Sequence, residues 1–189
     1  AVQADITKED DVIRLFETCT NELGPVTGVV NSAGIVEPYG RVDELKYDEI
    51  LPLININVTA MMIVTREAIK RMSTKHDGAG GAVVLLSSAA ARIGSPGFCV
   101  AYAASKGAVD SFAWGAGQEV VGEGIRINAV SPGVIDTEIQ PAGRVDQVGP
   151  NLPMGRAGQP EEVARAIVWL LSEEASYVAG SNLDVAAGR

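Results

Sequence analysis

Tyr102-Ala103-Ala104-Ser105-Lys106, with Ser88 fourteen residues upstream, brings together the residue types needed to move a proton onto or off an oxygen. On a helix, a tyrosine and a lysine four residues apart project from one face, about one turn apart. A phenol in water titrates near ~10 and is a poor proton donor or acceptor at neutral pH. An ammonium held beside it favours the phenolate and is expected to bring Tyr102 toward the working range. The plainer alternative is a half-buried tyrosine with a lysine stem passing over it. Because Tyr-x-x-x-Lys recurs by chance, the elements around it must decide.

Those elements alternate. Ala1 to Ala4 reads as a strand remnant and Asp5-Ile6-Thr7 as a turn. Thr7 or Asp10 is the expected cap of a helix whose stripe is Val12, Leu15, Phe16, Cys19 and Leu23, stopped by Gly24-Pro25. Thr27 to Asn31 is a short strand. A long helix is expected from near Tyr47 or Pro52 to Met72, with Asn57 in mid-course. Ala82-Val83-Val84-Leu85-Leu86 is a continuous apolar run suited to a parallel strand covered on both faces. It ends at Ser87-Ser88. The Tyr102 helix should reach about Val121, and Ile125 to Val130 is the next strand, ending at Ser131-Pro132-Gly133. Thr137 to Gly158, punctuated by glycine and proline, reads as a mobile loop. A helix opens at Pro160-Glu161-Glu162, and Asn182 to Val185 is the last strand. The expected architecture is α/β: a Rossmann-like, doubly wound parallel sheet in a single domain over residues 1–189. In such sheets ligands bind beyond the carboxyl ends of the strands, where Asn31, Ser88 and Pro132-Gly133 fall.

Composition narrows the partners. The net charge of −9 disfavours nucleic acid and anionic membrane surfaces. Cys19 and Cys99 are the only cysteines, so neither a disulfide framework nor a metal knuckle is expected, and the reducing cytosol is the default. His76, between Lys75 and Asp77, reads as solvated rather than metal-bound. No unbroken apolar run approaches the ~20 residues of a membrane span.

Asn31-Ser32-Ala33-Gly34, Asn57, Ser87-Ser88, Tyr102-Ala103-Ala104-Ser105-Lys106 and Pro132-Gly133-Val134-Ile135-Asp136-Thr137 follow one another in a telling order. In that order and rough spacing the chain resembles the short-chain dehydrogenase/reductase family, with bacterial glucose dehydrogenase-like and 3-oxoacyl-carrier-protein reductase-like members as the nearest in pattern. The likeness covers the whole chain. It implies an NAD(P)-dependent oxidoreductase moving a hydride between nicotinamide and a ketone or secondary alcohol. The implied catalytic set is Asn57, Ser88, Tyr102 and Lys106. Tyr102 acts as acid/base, Lys106 lowers its pKa and holds ribose hydroxyls, Ser88 holds the substrate oxygen, and Asn57 keeps a helix kink and a proton-relaying water. Ser87 is the alternative serine, set aside because strand alternation turns neighbours to opposite faces.

The implied cofactor contacts are Asp5, Ile6, Asn31, Ala33, Gly34, Tyr102, Lys106, Pro132, Gly133, Ile135 and Thr137. The cofactor leans to NADP, with NAD possible, and the resemblance implies a small-molecule carbonyl or alcohol substrate and a homo-oligomer, tetramer or dimer. Two departures stand out: the Ser88-to-Tyr102 interval is one longer than is usual in the family, and Ser32 replaces a commoner asparagine. The family also opens with a strand, a glycine-rich turn, a helix, a second strand and another helix, roughly 60 residues. The expectation is therefore that this N-terminal βαβα portion is missing from the chain as given, which would leave it inactive on its own. Two further readings compete: a non-catalytic dinucleotide-binding or assembly module of the same fold, which has no need of all four residues, and a sugar-nucleotide epimerase or dehydratase, which normally carries a longer C-terminal region.

Overall fold

In the computed structural model, which describes residues 1–189, four parallel strands form one sheet in the order β1-β2-β3-β4. They are β1 (Gly28–Asn31), β2 (Gly81–Leu86), β3 (Ile125–Pro132) and β4 (Asn182–Val185). The register sets Asn31 against Leu85, Leu86 against Val130, and Pro132 against Val185. All carboxyl ends therefore emerge at one edge. The chain leaving β2 stays tied there, with the N–H groups of Ser87 and Ala89 donating to the carbonyls of Val130 and Pro132.

Alternation along the strands builds a core on each face. Val83 and Leu85 of β2, with Ile125, Ile127 and Ala129 of β3, pack under α1 (Glu9–Leu23), α3 (Met61–Met72) and α5 (Val100–Val120). Val84 and Val130 face the other way and meet Val163 and Leu170 of α7 (Pro160–Leu171). A fully buried Leu or Ile in such a core, cut to alanine, costs about 2–5 kcal/mol. On the α7 side β3 also carries polar hooks. Arg126 donates to the carbonyls of Leu170 and Ser172, satisfying the open end of α7, and Asn128 accepts from the Ser181 N–H while donating to the Val178 carbonyl. These bonds seat β4 beside β3.

The long helix runs unbroken from Tyr47 to Met72, as α2 (Tyr47–Ile54), a π-helical stretch Asn55–Ala60, and α3. By length and composition it could cross a bilayer. Here Met61, Val64, Ala68 and Met72 pack into the core, and Glu67 is buried within reach of Arg66, Lys70 and Arg71.

Four local expectations change. Ala1 to Ala4 finds no strand partner and is not a strand; its one tie is the Arg14 guanidinium donating to the Gln3 carbonyl. Helix α1 is capped by Lys8, without a side-chain bond, rather than by Thr7 or Asp10. Asp5 takes the Thr7 N–H and hydroxyl into a turn of its own, and Glu9, Asp10 and Asp11 stabilise the helix start by charge. The Thr137-to-Gly158 segment is not structureless. It holds α6 (Arg144–Val148) and a 3-10 turn at Gly149–Asn151, and its base is closed by the Asp136 N–H donating to the Gly158 carbonyl and the Gly158 N–H donating to the Val134 carbonyl. β3 also runs two residues past Val130, because β4 continues the ladder to Pro132.

Candidate active site

Helix α5 delivers Tyr102 and Lys106. Ala103, Val109, Ala113, Ala116 and Val120 bury one side of it, and their small size lets the helix lie close to the sheet. At Gly117 a Cβ would fall 2.9 Å from the Gly180 backbone, so only glycine permits this approach. Lys106 is left 5% exposed, its Nζ donating to the Leu86 carbonyl at 2.6 Å and lying 5.7 Å from the centroid of the Tyr102 ring.

The end of β2 delivers the serines. Ser88 lies near enough to the Tyr102 hydroxyl to draw its pKa down, and its Oγ accepts the Ala90 N–H at 3.1 Å. Ser87 turns into the protein, where its hydroxyl donates to the Lys106 carbonyl at 3.1 Å, close enough to Asp110 to oppose the effect of burial on that carboxyl. Asn57, 1% exposed, sits in the π-helical stretch. Its Oδ1 accepts from the Ile35 N–H at 2.9 Å, and its Nδ2 donates to the Ile35 carbonyl at 2.9 Å and to Ser105 Oγ at 3.0 Å. Ser105 in turn donates to the Tyr102 carbonyl. One buried amide thereby joins the loop after β1 to the Tyr102 turn. The helix around this asparagine is π-helical over Asn55–Ala60.

Electrostatics departs from the sequence expectation. Burial pushes the Tyr102 phenol above its ordinary value, opposed by Ser88, and Lys106 is not among the groups that move it. Burial also draws Lys106 itself down to about 8, with Asp110, one turn further along α5, pulling the other way. An ammonium committed to the Leu86 carbonyl and drawn toward neutrality does little for a neighbouring phenolate. Asp110, whose Oδ1 is buried without a partner, is held above the usual carboxylate range by burial, against the pull of Ser87.

These groups open into a cavity of about 430 Å³ at the carboxyl edge of the sheet. Of the expected site residues, Gly34, Ser88, Tyr102, Lys106, Pro132, Gly133, Ile135 and Thr137 line it. Asn57 lies behind this wall. Asp5, Ile6, Asn31 and Ala33 are not brought to it: Asp5 borders a surface hollow with Gln3, Lys8, Asp11 and Arg14, and Ile6 packs on the core. Asn31 is buried with its Nδ2 unpartnered. A Cβ on Gly34 would meet Asn57 Oδ1 at 3.1 Å and Lys106 Nζ at 3.5 Å, so backbone lies directly against both. Sequence reasoning missed Asp110, though its four-residue spacing from Lys106 was a usable signal. It also missed Tyr39, Phe98 and Arg144, which line the far end of the cavity and carry no local pattern.

The family model described as enoyl-(acyl carrier protein) reductase matches residues 1–189. An uncharacterized oxidoreductase, YgfF, of Escherichia coli (strain K12) is 48% identical over 192 residues, covering 100% of this chain and 78% of that protein. A cis-4-hydroxycyclohexanecarboxylate dehydrogenase of Sinomonas cyclohexanicum is 34% identical over 99% of this chain and 75% of that protein. Among solved structures, ElxO with NADP bound superposes with a TM-score of 0.90 at 30% identity, over 98% of this chain and 76% of that one. A short-chain type dehydrogenase/reductase from Mycobacterium ulcerans gives 0.89 at 30% identity, over 98% and 68%.

Proposed function

The chain belongs to the short-chain dehydrogenase/reductase family of oxidoreductases, and on that premise we propose that it interconverts a ketone and a secondary alcohol using NADP, with Tyr102 as the acid/base. The observation that carries this reading is the meeting of Ser88, Tyr102 and Lys106 in one cavity wall, braced by Asn57.

The residues present fit a dinucleotide. Lys106 has three donors and gives one to Leu86, leaving two for ribose hydroxyls. The Gly34 backbone lies bare beside it, and the unpartnered Asn31 amide marks a donor without a partner of its own. Pro132, Gly133, Ile135 and Thr137 line the same cavity, where the nicotinamide end would lie. When bound, the nicotinamide supplies or removes the hydride at the carbon being reduced or oxidised. In reduction the Tyr102 hydroxyl gives its proton to the carbonyl oxygen as the carbon gains the hydride; in oxidation Tyr102 takes the proton back. Ser88 donates to the same oxygen and steadies its developing charge. A raised Tyr102 pKa favours the protonated phenol, which suits reduction.

Tyr102→Phe is the test. Turnover should fall by about 10²–10⁴-fold while NADPH affinity is retained, because the ring still packs and only the proton is lost. Near-wild-type turnover of the pure variant would remove Tyr102 from the mechanism. Tight NADPH binding by wild type without turnover of any carbonyl would instead favour a non-catalytic binding module. We also propose that the protein is cytoplasmic and works as a homo-oligomer, with exposed Trp114, Val168 and Tyr177 as apolar surface for further copies, to be checked by sedimentation.

A further inference from the structure

Charge in the cavity opposes charge on the protein. Over a chain of net charge −9, the cavity is lined by Lys106, Arg144 and Arg189 and by no aspartate or glutamate. Carboxylates close to it lie outside its wall: Glu37 acts on Tyr39, and Asp110 acts on Lys106. Lys106 is committed to the Leu86 carbonyl and, on the reading above, to ribose hydroxyls. Arg144 is not committed to anything charged. Arg14, Arg41, Arg66, Arg71, Arg92 and Arg156 all sit on carboxylates. The half-buried Arg144 side chain has no ion pair and no hydrogen bond; its guanidinium lies 3.9 Å from the centroid of the Phe98 ring. Phe98 is backed by Tyr39, with ring centroids 4.9 Å apart and planes tilted by 31°.

A guanidinium held over a ring face without polar partners keeps its N–H donors free, and these form the fork that matches a carboxylate with two parallel hydrogen bonds. Its place in the cavity is also informative. Phe98 lies in the turn just before α5, which begins at Val100. Tyr39 and Cys99 both feel the Arg144 charge and both act on Tyr102, and Lys106 Nζ lies 5.7 Å from the Tyr102 ring centroid, so Tyr102 has the Arg144 cluster and Lys106 as neighbours. Val36, Ile93 and Ile139 line the same cavity and offer apolar surface.

We propose that Arg144 receives the carboxylate of the substrate, so that the enzyme acts on oxo acids and hydroxy acids whose carbonyl or hydroxyl lies a few bonds from the carboxyl group. This rests on the oxidoreductase reading of the same cavity. The carboxylate replaces water on the Arg144 donors, the apolar body fills the space beside Phe98 and Ile139, and the oxygen to be reduced reaches Ser88 and Tyr102. Arg144 then sets specificity and orientation; it takes no part in proton transfer.

The experiment uses the full-length protein with NADPH and a series of oxo acids with two to four carbons between carbonyl and carboxyl, each beside its methyl ester. Wild type should favour acid over ester by about 10–100-fold in kcat/KM, the range of a charge-assisted pair. Arg144→Gln should bring that ratio close to one, mainly through KM for the acids, and Arg144→Lys should restore part of it. If wild type treats acid and ester alike, or if Arg144→Gln lowers both and leaves the ratio unchanged, the proposal is overturned and Arg144 merely fastens its segment to Phe98. If no carbonyl compound is turned over, the oxidoreductase reading fails separately. Calorimetry of hexanoate binding in the presence of NADPH then decides the carboxylate site. Affinity reduced in Arg144→Gln supports the proposal, and equal affinity, or no binding by wild type, rejects it.

Discussion

Replacing Asn57 by alanine should uncouple the loop after β1 from the Tyr102 turn. The side chain makes three hydrogen bonds, two to the Ile35 backbone and one to Ser105 Oγ, from a position 1% exposed. Each such bond contributes about 1 kcal/mol net, and a buried partner left unpaired costs about 1–3 kcal/mol. Ser105 keeps its bond to the Tyr102 carbonyl, so the two Ile35 groups carry most of the penalty. A loss of about 3 kcal/mol is expected, or roughly 6–12 °C in Tm for a chain of this size. Asn57→Asp should cost at least as much, because its second carboxylate oxygen would face the Ile35 carbonyl, acceptor against acceptor, and place a charge in a buried site. Urea denaturation gives the stabilities, and hydrogen exchange at the Ile35 amide reports the clamp directly. NADPH affinity should fall in the alanine variant, because Gly34, beside Lys106, is released along with Ile35. A loss below about 1 kcal/mol with the Ile35 amide still protected would refute the reasoning.

Lys106 should titrate near 8 in the free protein, and Asp110→Asn should lower that value further, as read by NMR of the labelled ammonium. Its folded pKa lies below the ordinary lysine value, so the unfolded chain binds the extra proton. The penalty for charged Lys106 is therefore present below about 8 and is lifted as pH rises toward 10.5, by at most about 3 kcal/mol. Lys106→Met should flatten that part of the stability profile. At Glu67, burial alone would raise the carboxyl, but Arg71, Lys70 and Arg66 outweigh it and hold it at about 2. That stability is present above the unfolded value of about 4.5 and is lost as pH falls through about 2. The partly solvated Arg66 and Lys70 screen the pair, leaving about 1–2 kcal/mol, which Glu67→Gln should remove from an acid-denaturation curve. Amides of residues 139–158 should exchange faster than those of α7 without ligand and slow when NADPH and an oxo acid bind. Equal protection in the free protein would exclude a closing segment.

What the sequence determined by itself was local. Alternation in Val83-Val84-Leu85 set two faces, helical spacing in Val163, Ile167 and Leu170 set one, and the Tyr102-Lys106 interval put two functional groups on one side of a helix. Such patterns need only the backbone periods of 2 and 3.6 residues, which a single segment already possesses. The tertiary structure decided whatever depends on distant segments meeting. Arg144 finds Phe98 and Tyr39, and Asn57 finds Ile35 and Ser105, through packing that no spacing announces. It also turned the Tyr102 pKa upward rather than downward. A residue's neighbours in sequence can name a charge, but only burial sets how costly that charge is, and burial belongs to the folded chain.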